Sequence, residues 1–522
     1  MPSPTTQTIR HVFNGGWATD FGQHAEVTVS DQGLVQVPFL LECLNNTFEL
    51  NGGTHKIGGT TRAHSNAVAS GGTVTGLFDF WRHSGGSAVR KLVIHAGANC
   101  YAADLGSEFS SIGSGLSSGA VPSYETFDDF LIIGSTGDVP KSYDQTTFQN
   151  LAGSPPNFAF SETHKNRLWA AGVATAPSKL YYSALLDPED WTGSGSGAID
   201  IDPNDGDAIT ALASHKDNLW VFKGPNKGSI HRIVGSAPTG GDSFGRVTFV
   251  RGMGAAAHNT MFRFKDDLGF MWSDGSIHSL NATAAYGDFN ESALSRPINN
   301  WIREHINGNR LKNMWAMHDS VRGYVLFAIS IDTSSTNNHH LMMDYRFDPP
   351  RWSHWNAYTS GCVASVIDVG VPSPFGGSND GYVRRLQRSA KSVDGSAAIP
   401  CDTTLPFLHY ANPMNFKQFS RAAVGISPKG NYDLIFGWTR DDNAEQTESV
   451  SQGQGGTVLD SFTLGTDTLA GATYGDRFMS LAEGGEFRQI RYRVASNLVD
   501  EDLELHTISA SLTRGSDSGE ND

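Results

Sequence analysis

Between Asp205 and Leu280 the apolar and polar positions run through the same order twice. Each half offers an apolar stretch, a charged turn, a second apolar stretch, a glycine-bearing turn and a short Ser-Ile-His segment. The turns at Lys216-Asp217-Asn218 and Lys265-Asp266-Asp267 suit tight hairpins, and Asp274-Gly275 suits a sharp reversal. Leu219, Val221 and Ile230 in the first half answer to Leu268, Phe270 and Ile277 in the second. A unit of about 45–50 residues built from short antiparallel strands predicts one blade of a propeller.

The same texture extends in both directions. Units are predicted over Thr73–Leu105, Thr126–Leu151 and Phe158–Ile201 upstream, and over Leu311–Trp355 and Val363–Leu386 downstream. The Gly/Ser-rich run Ile112–Ala120 reads as a loop, and the spacing stretches only around SRPINNWIREHI (295–306). That segment predicts one inserted helix, with Ser295 as its cap and Ile298, Trp301, Ile302 and His305 on one face. Beyond about residue 395 the strands are separated by long polar loops, a sandwich-like pattern. The fold class expected is therefore all-β: a β-propeller of about six to seven blades with a C-terminal β-sandwich-like extension and one short helix. By residue, 1–72 form an N-terminal arm with ring-closing strands, and 73–394 form the propeller. Residues 395–514 form a β-rich domain or closing blade, and 515–522 a disordered acidic tail. A strand from one terminus is expected to complete the last blade, because an open ring leaves a blade face and a strand edge uncovered.

Composition narrows the function classes. The 54 acidic residues outnumber the 38 basic ones, for a formal net charge of −16, which argues against a surface that grips DNA phosphates tightly. It remains compatible with a channel through which DNA slides, and equally with plain solubility. No apolar run approaches the length of a membrane span, and the N-terminus MPSPTTQTIRH has no leader pattern. Cys43, Cys100, Cys362 and Cys401 stand far apart and are expected to be free, buried thiols.

Several segments carry candidate chemistry. Gly115–Gly119 matches G-x-S-x-G, which needs a strand before and a helix after it; Gly/Ser low complexity supplies neither. Asp200, Asp202, Asn204 and Asp205 alternate like a calcium loop, but Ala211 stands where the bidentate Glu belongs, so a structural turn is the competing reading. Ser273-Asp274-Gly275 is a fragment of the turn found in sialidase-like propellers. Arg384, Arg385, Arg388 and Lys391 form a basic cluster, either a solvated blade edge or a contact for a partner or DNA channel. Trp220, Trp272, Trp301, Trp315, Trp352 and Trp355 could be sugar platforms, but their apolar strand settings favour packing. No zinc-hydrolase or phosphate-loop motif occurs, and no cofactor is expected.

The run YYSALLDPEDWTG … IDIDPNDGDAITALASHKDNLWVFKGPNKGSIHRI … RGMGAAAHNTMFRFKDDLGFMWSDGSIHSL resembles the β-propeller tail proteins of tailed bacteriophages, the packaged-DNA stabilisation, tail-hub or nozzle family. The resemblance covers roughly Leu180–Ile306, with FRQIRYRVAS … LELHTISASL similar to that family's closing strands. It implies a non-enzymatic virion protein of the phage tail, made in the host cytoplasm. Six copies would form a ring below portal and adaptor, through which double-stranded DNA passes without sequence specificity, with fibres or spikes attached outside. The alternatives are a propeller glycosidase or sialidase and a glycan-binding receptor-recognition module.

Overall fold

The structure, a computed structural model, describes residues 6–13, 15–25, 30, 34–84, 87–286, 293–410, 416–427, 433–441, 443–451, 475–479 and 486–514. The expected acidic tail, 515–522, lies outside the described residues. The chain divides into two compact units: Thr61–Tyr345 with Tyr358–Leu386, and Met1–Thr60 with Arg346–Ala357 and Gln387–Asp522.

The first unit is a β-propeller of seven blades. Four blades have four antiparallel strands in meander order, beginning at Val74–Ser84, Ser123–Phe127, Phe160–His164 and Ala208–His215. The fifth has three strands, Phe262–Phe264, Asp267–Met271 and Ile277–Ser279. The sixth contributes Trp315–Asp319, Tyr324–Ile329 and His339–Asp344, and the seventh Cys362–Asp368, Val371–Gly377 and Val383–Arg388. The first strand of each blade is innermost, and the ring closes where Cys362–Asp368 meets Val74–Ser84. Asp79 Oδ2 there accepts the Ile367 N–H at 3.0 Å. On the outside, Ala63 N–H donates to Val383 O at 2.8 Å, so the N-terminal side of the chain covers the last blade. The apolar cores lie between blades: Phe127, Ile132, Phe158 and Leu168 join the second to the third, and Trp169, Leu180, Leu212 and Val221 join the third to the fourth.

Local sequence accounts for the blades. His164-Lys165-Asn166-Arg167-Leu168-Trp169 and His215-Lys216-Asp217-Asn218-Leu219-Trp220 make the same hairpin. Lys165, Asn166, Lys216 and Asp217 all have φ between 48° and 57°, the left-handed pair that a twisted two-residue turn requires. Each tryptophan returns its indole N–H to the carbonyl five residues earlier, Trp169 to His164 at 3.2 Å and Trp220 to His215 at 3.3 Å. The two Ser-Ile-His segments also match in detail. Ser229 Oγ lies 2.8 Å from His231 Nε2, and Ser276 Oγ lies 2.7 Å from His278 Nε2.

Three expectations are corrected. There are two short α-helices among the described residues: Leu280–Tyr286 as well as Asn299–His305, the latter entered through a 3-10 turn at Arg296–Ile298. Leu280 is buried in the core between the fourth and fifth blades, and its helix packs on Asp267–Met271 and Gly245–Arg251. Ser295 does not cap a helix; its hydroxyl accepts the Ile277 N–H and donates to Asn299 Oδ1, tying the insertion to the blade. Ser110–Ser114, which overlaps the run read as a Gly/Ser loop, is the outer strand of the first blade.

The second unit is a two-sheet β structure. Thr6–Phe13 lies between Leu34–Val37 and Glu504–Arg514, and Lys417–Ser427 continues that sheet. The other sheet holds Asp433–Arg440, Ile490–Ser496, Cys401–Thr404 and Glu42–Leu44. The sheets meet through His11, whose Nε2 is 2.7 Å from the Tyr410 hydroxyl and whose ring lies 5.5 Å from that of Tyr492. Residues 1–72 are thus no separate arm: their strands up to Lys56 are built into these sheets, Gly59–Arg62 stands in the sheet of the seventh blade, and the propeller unit spans 61–345 and 358–386 rather than 73–394. RWSHW (351–355) is a strand next in sheet order to His339–Asp344, as the sequence predicts, and is grouped with this second unit. Trp352 and Trp355 are wholly buried there, and Ser353 Oγ and Trp355 Nε1 both donate to Asn46 O.

Candidate functional site: the axial cavity of the propeller

An innermost strand has one edge with no neighbouring strand, so its axis-facing backbone groups need partners from side chains or solvent. Carboxylates supply several. Glu125 shares a strand face with Phe127; Phe127 packs on the third blade while Glu125 Oε1 accepts the Thr163 N–H of that blade at 3.0 Å. Glu162 repeats the arrangement one blade on, accepting the Ser214 N–H at 2.8 Å. Arg263, from the fifth blade, donates to Glu162 Oε1 at 3.2 Å and to Ser214 O at 2.7 Å.

These groups surround a cavity of about 780 Å³ on the propeller axis, to which all seven blades contribute. A 3-10 turn, His258–Thr260, forms its floor. His258 stacks on Phe160 with ring centroids 5.0 Å apart, and its Nδ1 accepts the Leu212 N–H at 3.4 Å. Asn259 Nδ2 reaches Pro122 O, before the second blade, at 3.1 Å. Both residues also line a second cavity of about 300 Å³ at the opposite ends of the inner strands. His258 and Asn259 therefore stand between the two cavities.

Burial pushes the Glu162 carboxyl up from 4.5 to about 8, with the charge of Glu125 adding to it and Ser214 N–H and Arg263 opposing it. Glu125 is raised too, again chiefly by burial. A carboxyl raised in the fold stabilises it fully below the unfolded value, and that contribution is lost as pH rises from about 4.5 through about 8. Glu162→Gln should therefore be more stable than the wild type at pH ~8.5, by about 2–4 kcal/mol, and equal to it near pH 4. Chemical denaturation at the two pH values measures this; an equal difference at both would refute it.

The sequence candidates fall elsewhere. Asp205 Oδ1 accepts from Lys223 Nζ at 2.8 Å, and the same ammonium donates to Ile201 O, Asp202 O and Ser178 Oγ. Asp202 pairs with Arg246 at 2.5 Å and Arg251 at 3.2 Å, and Asp200 lies 4.0 Å from Lys179, while Asn204 makes the turn. The loop read as a calcium candidate thus closes around protein cations, and among the described residues no metal-type cluster of His, Cys, Asp and Glu occurs. Asp207, the next carboxylate, anchors the 226–228 turn by accepting the N–H groups of Asn226, Lys227 and Gly228.

The basic cluster does not form one patch. Arg384 is buried and bidentate on Asp380 with both bonds at 2.7 Å, and Arg385 donates to Asp368 at 3.1 Å. Lys391 is buried in the other unit, bonded to Lys56 O, His55 and Asp502, and Arg388 is exposed. Ser117 bonds to Asp138 through both N–H and Oγ, and a turn rather than a helix follows it. Asp274 accepts the Ser276 N–H within the tight turn, and Gly275 has φ +84°. Trp220, Trp315, Trp352 and Trp355 are buried and Trp272 and Trp301 half-buried, so packing, not display, is their setting.

Glu125 and Glu162 were not singled out from sequence, although a signal was present. Tyr124-Glu-Thr-Phe127 and Ser161-Glu-Thr-His164 each precede a hairpin and a leucine, Leu131 and Leu168, on the returning strand.

No family model and no curated protein matches the chain. Among solved structures it is similar to the AfRom2 CNH domain, with TM-score 0.36 and 11% identity over 63% of this chain and 98% of that one. Chaetomium thermophilum Raptor gives TM-score 0.36 and 11% identity over 68% of this chain and 29% of that one. The WD40 domain of Toxoplasma gondii coronin gives TM-score 0.32 and 7% identity over 73% and 87%.

Proposed function

We propose that the chain is a structural protein of a bacteriophage tail: a hub or nozzle subunit, six to a ring, that continues the DNA channel below portal and adaptor. In this reading the ring retains packaged double-stranded DNA, releases it on infection and carries fibres or spikes. The observation that supports the reading most is how the segment resembling those proteins spends its charge. Within Leu180–Ile306, Asp202, Asp205, Asp207 and Lys223 all brace loops against blades. A closed ring of blades braced in this way resists deformation, which suits a part under DNA pressure. In this reading DNA passes along the axis of the ring of subunits.

The test is genetic and structural. A phage carrying this gene with an early stop codon should package DNA and then lose it, giving non-infectious particles that wild-type protein supplied in trans restores. Images of complemented particles should place six copies at the distal end of the tail. Infectious particles that contain none of the chain would refute the proposal.

A further inference from the structure

We propose that the apolar hairpin tips of the sixth, seventh and first blades form a contact surface for a second copy of this chain. Every inner strand lines the larger axial cavity close to its hairpin, so the seven hairpins surround one end of the propeller. Five of them close with the same two-residue turn, and the first residue of that turn has φ between 48° and 51°. In the second to fifth blades it is Asp128, Lys165, Lys216 or Lys265, charged every time. In the seventh it is Val369, 95% exposed. A β-branched side chain is poorly tolerated at positive φ, and one so exposed contributes little packing to its own blade. Val371, across the same turn, and Val321, at the tip of the sixth blade, are exposed as well. Trp81 of the first blade is exposed beside them: Arg90 lies 5.2 Å from its ring centre and donates to Ile367 O of the seventh blade.

Charge points to the occupant. The chain has a formal net charge of −16, so two copies repel over most of their surfaces. The acids nearest these tips are already neutralised within the chain: Asp79 by Arg90, Asp319 by Arg322 at 2.8 Å and Asp368 by Arg385 at 3.1 Å. The surface is therefore apolar without net charge, which makes it complementary to itself and gives a charged partner nothing to pair with. Such a patch suits a two-fold contact in which each copy presents the same residues. That contact is separate from the head-to-tail contacts that would close a ring, so it stands or falls independently of the tail reading.

Sedimentation of the purified full chain, from nanomolar to sub-millimolar concentration, should show its mass rise from one copy to two. Val369→Asn gives the turn a residue it favours, so the melting temperature should hold or rise while self-association weakens at least about tenfold. Val369→Lys, which copies the turns of the third to fifth blades, should weaken association at least as much. A chain that stays monomeric throughout the range would overturn the proposal, as would association unchanged in both variants. A melting temperature lowered by Val369→Asn would overturn it too, by giving the valine a role inside its own blade.

Discussion

Acidification from about pH 7 to about pH 5 is expected to unfold the propeller cooperatively. His95, His231, His278 and His340 are buried, and desolvation brings each from 6.5 down to about 4; His258, on the cavity floor, is brought there too. Burial disfavours the imidazolium, so the fold holds these rings neutral while the unfolded chain protonates them near 6.5. A depressed group of this kind contributes stability above the unfolded value and loses it as pH falls from about 6.5 through about 4. Each extra proton bound by the unfolded chain costs ~1.4 kcal/mol per pH unit, so five give a slope of ~7 kcal/mol per unit. Glu162 and Glu125, which hold protons better in the fold, reduce that slope by up to ~1.4 kcal/mol each over the same window. The remainder still rivals the whole stability of an ordinary domain, ~5–15 kcal/mol, within two pH units.

The other unit should respond differently. It carries His11, lowered to about 4 by burial, but also His55. Burial pulls His55 down, and the carboxylates of Asp502 and Glu49 more than offset it, leaving it raised. That group loses its contribution as pH rises rather than as it falls. Hydrogen exchange followed across the acid transition should therefore show propeller strands opening first. A propeller melting temperature that stays flat between pH 7 and pH 5 would contradict the account of the buried histidines.

What was legible in the sequence was local. The Lys-Asp-Asn and Lys-Asp-Asp turns, the apolar alternation around them and the Ser-Ile-His ends specify hairpins within a few residues of each other, and they appear where expected. What was not legible was pairing across long separations. Thr6–Phe13 reads as an arm because its partner, Glu504–Arg514, lies at the far end of the chain. Trp352 and Trp355 sit on a strand the sequence does predict, but their anchor, Asn46, lies some 300 positions away and was not legible. The axial cavity was invisible for a related reason: Glu125 and Glu162 repeat one Glu-Thr pattern, but Arg263 and Trp315 come from two further blades and share no motif with them. The calcium-like spacing of Asp200–Asp205 misleads because spacing reports which acceptors converge, not which cation they converge upon.

That last point makes Lys223→Met a demanding test. Lys223 is 0% exposed, and its ammonium donates to Ile201 O at 2.7 Å, Asp202 O and Asp205 Oδ1 at 2.8 Å, and Ser178 Oγ at 3.2 Å. Methionine fills most of the aliphatic volume but leaves two carbonyls and a partly buried carboxylate without their cation. Removing one member of a buried ion pair costs about 3–5 kcal/mol, because the partner's charge stays buried and uncompensated. The variant should lose that much in denaturant unfolding of the propeller, and Asp205→Asn added to it should recover part of the loss through non-additivity. The exposed pair Lys216–Asp266 provides the contrast, since breaking a solvated pair should scarcely move the transition. A loss below ~1 kcal/mol for Lys223→Met would show the ammonium to be dispensable. Because Lys223 already occupies the place a cation would take, calcium should leave the wild-type melting temperature unchanged; a rise on adding calcium would mean that the carboxylates, not the lysine, define the loop's chemistry.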